Sequence, residues 1–66
     1  MTNLAAAAYE LCEEIRDGRW ADALRHAPND QPAASVEIIE VLRRRCPGHT
    51  TEAYQAAIAK GMVATR

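Results

Sequence analysis

The sequence has no phenylalanine, one tryptophan and two tyrosines, so no large aromatic cluster can form its core. Two cysteines in 66 residues are too few for the disulfide framework of a small secreted domain. Glycine and proline occur three times each, which excludes a low-complexity chain and leaves few breaking points. No apolar run approaches a membrane span, and Glu10 interrupts the alanine-rich start before it could serve as a signal segment. Charge of either sign is scarcely in excess. The formal net charge is −1, so no global field draws the chain to nucleic acid or an anionic membrane. These absences predict a cytoplasmic protein with reduced thiols and no membrane contact.

What is present is aliphatic and helical. Hydrophobic residues make up 48% of the chain, but much of that is alanine, which buries little surface per residue. A chain of 66 residues makes one domain, residues 1–66, and buries only about 60% of its unfolded surface. The core is therefore expected from Leu4, Leu11, Ile15, Trp20, Leu24, Ile38, Ile39, Val41, Leu42, Tyr54 and Ile58.

Residues 32–46 hold the densest run of large aliphatics. At 100° per residue, Ala34, Ile38, Ile39, Val41, Leu42 and Cys46 share one arc, with Glu37, Glu40, Arg43 and Arg44 largely opposite. Pro32 suits a first helical turn with Asp30 or Gln31 as its cap, and the pair Pro47-Gly48 ends the helix. Upstream, Leu4, Ala8, Leu11 and Ile15 have core-stripe spacing. They predict a helix capped by Thr2 or Asn3 that runs to about Asp17 and stops at Gly18.

Residues 19–26 read as a short second helix with Trp20, Ala23 and Leu24 turned inward, followed by a loop over 27–31. The string from Gly18 to Leu24 resembles the turn between paired helices in tetratricopeptide repeats. That register, carried backward, puts Glu10 and Glu14 where the repeat has large apolar side chains, so no family follows. A last helix starts after a cap at Thr50 or His49, runs to about Lys60 with Tyr54, Ala57 and Ile58 inward, and ends at Gly61 unless residues 62–65 extend or fray it. Nothing has strand periodicity. The fold class is all-α, a compact bundle of three to four short helices.

Chemistry is sparsely signalled. There is no nucleophile elbow, no phosphate-binding glycine loop and no His–carboxylate pair on one helix, so no catalytic residue and no cofactor is expected. Cys12, His26, Cys46 and His49 could be set against a zinc site, but only Cys46 and His49 are closely spaced, and no metal is expected. Arg43, Arg44 and Arg45 could grip phosphate or carboxylate groups, or they could simply complement the negative end of the helix dipole. Three consecutive positions fan across about 200°, so they cannot all face one ligand. A helix-turn-helix built on Ala57 and Gly61 would lack room for its second helix; one turning at Gly48 would put Arg44 where a small residue belongs.

The reading that fits best is a protein–protein interaction module, a regulator, inhibitor or adaptor that occupies a partner surface or associates with itself. Its expected binding residues are Ile39, Val41, Arg43, Arg44, Arg45 and His49. The alternative is a helix-turn-helix-like regulator that meets nucleic acid with the Arg43, Arg44 and Arg45 end.

Overall fold

The computed structural model describes residues 3–25 and 31–66, and among these it has three α-helices and one short 3-10 turn. Helix α1 spans Leu4–Arg16, a 3-10 turn covers Pro32–Ala34, α2 spans Val36–Arg45 and α3 spans Thr51–Ala64. No strand occurs among the described residues. None of these helices is long and apolar enough to cross a membrane. The all-helical bundle expected from the periodicity is what forms, with three helices.

Caps set the boundaries. The side chain of Asn3 accepts from the Ala6 amide at 2.8 Å and opens α1. At the other end Gly18 takes φ +85°, the Gly18 amide donates to the Ile15 carbonyl, and the Arg19 amide donates to the Glu14 carbonyl. That pair of bonds is a Schellman stop, which needs a residue without a Cβ at the left-handed position. Thr50 caps α3 through the Ala53 amide at 3.1 Å.

The start of the central helix and the segment before it differ from expectation. Pro32 does not open the central α-helix; it starts the 3-10 turn, and Ser35 is the true cap of α2. The Ser35 hydroxyl accepts from the Ile38 amide at 3.3 Å and donates to the Ala23 carbonyl at 3.1 Å. Both bonds require extended backbone at Ser35, so the helix cannot run through it. Ala34 consequently leaves the apolar arc and is exposed. The short second helix is also absent over 19–25, where the backbone makes isolated turns instead. A segment this short gains too few hydrogen bonds to propagate a helix. Its inward residues are nevertheless as expected: Ala23 is buried, and Trp20 and Leu24 pack on the core. His26, the loop over 27–30, the Asp30 cap and the Thr2 cap lie outside the described residues.

The core joins Leu11, Cys12 and Ile15 of α1 to Ile38, Ile39 and Leu42 of α2 and to Tyr54 and Ile58 of α3. Tyr54 is the largest fully buried side chain. Its hydroxyl donates to the Cys46 carbonyl at 2.8 Å and accepts from the His49 amide at 3.2 Å, fastening the 46–50 connection to α3. The closest approach is between α1 and α3. Gly61 does not end α3 but lies inside it, buried against α1, because only a residue without a Cβ fits there. A Cβ at position 61 would stand 2.6 Å from Cys12 Sγ and 3.3 Å from the Ala8 carbonyl oxygen. The helix continues to Ala64, where the Arg16 guanidinium donates to the Met62 carbonyl at 2.6 Å.

Candidate functional site

Arg43, Arg44 and Arg45 end α2 and diverge, as their spacing requires. Arg43 lies over the Tyr54 ring at 5.1 Å, pairs with Glu40 at 3.4 Å and donates to the Thr51 hydroxyl at 3.1 Å. Arg45 makes a forked contact with Glu14 on α1, Nη1 to Oε2 at 2.8 Å and Nη2 to Oε1 at 3.0 Å. Trp20 Nε1 donates to the same carboxylate at 3.1 Å. Arg44 points to solvent. Two of the three arginines are thus engaged within the fold.

Those bonds set the charge of Glu14. Hydrogen bonds from Arg45, opposed by partial burial and helped by Trp20, hold its carboxyl below the usual carboxylate range. A depressed folded-state pKa adds stability above the unfolded value and loses it as pH falls through the folded one. Arg45→Gln should therefore lower the melting temperature at pH 7 by about 2–6 °C, the size expected of a partly exposed pair worth ~0.5–1 kcal/mol. The gap between wild type and variant should shrink as pH falls below about 4, where the unfolded carboxyl takes its proton. Thermal melts of both proteins at the two pH values check this; a constant gap would show that Arg45 acts by packing alone.

The thiols are packed away. Cys12 and Cys46 are both buried and form no disulfide. Burial, partly offset by Arg16, pushes the Cys12 thiol up to about 11, so it is protonated near neutral pH and donates to the Ile58 carbonyl at 3.4 Å. His49 is exposed and sits edge-on to Tyr54, with ring centroids 5.7 Å apart.

The remaining expected contact residues divide. Ile39 is 5% exposed and belongs to the core, and Val41 is half-buried against it, so Ile39 offers a partner little surface. Large exposed aliphatics occur elsewhere. Among the described residues, Val36 at 76% and Val63 at 62% are the most exposed large hydrophobic side chains.

Each valine lines one of a pair of adjoining grooves. One, of about 190 Å³, runs between α2 and α3 past Val36, Ile39, Glu40, Arg43 and Thr51. The other, of about 490 Å³, lies beside the 3-10 turn and the end of α3, past Arg16, Ala59, Met62, Val63 and Arg66. Ala34 and Gln55 line both, which makes the two grooves one continuous face. Of the expected binding residues, Ile39 and Arg43 line this face. Val41, Arg44, Arg45 and His49 line neither groove.

The chain matches no family. No protein-family model fits it, and no curated protein or solved structure is significantly similar.

Val36 and Val63 escaped the sequence reading because each lies beside a misplaced boundary. Val36 is the first residue of α2, next to the unrecognised Ser35 cap, and Val63 follows Gly61, where α3 was expected to stop.

Proposed function

We propose that this chain is a helical protein-interaction domain that acts by occupying a partner surface with the face between α2, the 3-10 turn and α3. The observation that carries the reading is the pair of exposed valines, Val36 and Val63, one lining each of two adjoining grooves that share Ala34 and Gln55. Isolated exposed aliphatics need no explanation, but two that line a shared concave surface are the usual mark of a contact site. Regulator, inhibitor and adaptor are all roles open to such a domain.

The nucleic-acid alternative draws less support from the same surface. Arg45 is committed to Glu14 and Arg43 to Tyr54, Glu40 and Thr51. Among the described residues, the helix that follows the Gly48 turn is α3, whose exposed positions Thr51, Glu52, Gln55, Ala56, Ala59, Lys60, Val63 and Ala64 include one cation, Lys60, offset by Glu52.

The expected result is that Val36→Glu and Val63→Glu leave helical circular dichroism and melting temperature close to wild type, because both side chains already face water. A partner cross-linked to the wild type in its native cell should be lost with each variant. A partner that both variants retain would place the binding surface elsewhere.

A further inference from the structure

We propose that the occupant of this face is an acidic amphipathic helix of another protein, about four turns long. The inference rests on the binding face proposed above and specifies its partner. Three features of the groove select that occupant.

The first is charge. The lining carries Arg16 and Arg66 as unneutralised cations, beside an Arg43–Glu40 pair whose charges cancel, in a chain whose overall charge is −1. Arg16 is held by neutral acceptors, the Met62 carbonyl and the Thr65 hydroxyl, so its charge is left for a partner. Among the described residues, neither Arg16 nor Arg66 lies within ion-pair distance of a carboxylate. The face is therefore locally cationic although the protein is not, and a carboxylate-bearing partner is the complement.

The second is shape. The α3 residues that line the groove run from Thr51 to Val63, which at the helical rise is about 18 Å, and Arg66 just beyond the helix extends the face to roughly four turns of a partner helix laid alongside. Between Arg43 and the Arg16 and Arg66 end the lining is mainly apolar, Ala33, Ala34, Ala59 and Met62 with the two valines, broken by Gln31 and Gln55, and suits the i, i+3, i+4, i+7 face of a helix that also carries polar groups. No strand edge is present among the described residues to pair with an extended peptide.

The third excludes a second copy. A two-fold dimer through this face would set the same patch against itself, offering Arg16 and Arg66 no carboxylate beyond the already paired Glu40. A nucleic acid fits less well, because the cations stand at the ends of a mainly apolar lining and not along a track of phosphates.

The test is a display library of helical peptides of roughly 16 residues, panned on the wild-type protein with Val63→Glu as counter-target. Enriched clones should disappear on Val63→Glu and should carry an apolar stripe flanked by more Asp and Glu than Lys and Arg. A synthesised representative should bind Arg66→Glu about tenfold more weakly, and should weaken as salt rises from about 50 to 300 mM.

Val63-dependent clones that are neutral or basic would overturn the acidic partner while leaving the binding face intact. Clones indifferent to Val63→Glu, or no enrichment at all, would overturn both. Sedimentation that shows a dimer abolished by Val63→Glu would assign the face to a second copy. Salt-sensitive binding of a labelled duplex that Arg66→Glu abolishes would assign it to nucleic acid. Either result would end the proposal.

Discussion

Tyr54→Ala is expected to leave most of the chain unfolded at room temperature. Tyr54 is fully buried at the meeting point of all three helices, and an aromatic truncated there costs about 3–5 kcal/mol. Domains of this size have only about 0.05–0.15 kcal/mol of stability per residue, so the loss is comparable to the total. Tyr54→Phe separates the hydroxyl from the ring. It keeps the packing but leaves the Cys46 carbonyl, at 2.8 Å from the hydroxyl, without that donor, and should cost about 1–3 kcal/mol. The His49 amide loses an acceptor too, but it lies on an exposed residue where water can replace it. Urea unfolding followed by circular dichroism measures both. If Tyr54→Phe unfolds at the wild-type midpoint, the hydroxyl does not fasten the connection before α3.

Gly61→Ala should destabilise the protein, against the ordinary preference of helices. Inside a solvent-facing helix the change would gain ~1 kcal/mol, since alanine is the best helix former and glycine among the worst. Here the added methyl would meet Cys12 Sγ at 2.6 Å, and Cys12 is itself fully buried on a packed helix with nowhere to retreat. Overpacking of this kind costs about 1–3 kcal/mol, which outweighs the propensity. The double variant Cys12→Ala with Gly61→Ala should lose less than the sum of the two single losses, because the sulfur is the nearest obstacle. The Ala8 carbonyl at 3.3 Å remains, so recovery should be partial. A melting temperature that rises on Gly61→Ala would mean that α1 and α3 stand farther apart than described.

Much of this fold could be read from spacing. The stripe of Leu4, Ala8, Leu11 and Ile15, the aliphatic arc through Ile38 and Leu42, and the inward set Tyr54, Ala57 and Ile58 all follow the helical period, and they pack as the period implies. The stop at Gly18 was legible because glycine after a periodic run has a strong physical reason to adopt positive φ.

Gly61 showed the same local pattern and meant something else. Only the approach of α1, distant in sequence, distinguishes a glycine that ends a helix from one that admits a neighbour. Ser35 misled for a related reason: its hydroxyl bonds the Ala23 carbonyl 12 residues upstream, and that bond helps to break a stretch that local propensity would continue.

The site was less legible than the core. Its two exposed valines lie beside those two boundaries, and its cations come from α1, α2 and the end of the chain. A groove assembled from separate segments leaves no motif. The Arg43, Arg44 and Arg45 run was conspicuous in sequence, yet two of its members serve the fold.

The fit of Gly61 into the surface formed by Ala8 and Cys12 also constrains how this sequence can drift. A larger side chain at position 61 is tolerable only after position 12 has become smaller, and a smaller side chain at position 12 first opens a void. Viable lineages must therefore cross a less stable ancestor or change both positions at once. Substitutions at these two sites should be inherited together, while the solvent-facing positions between them wander independently.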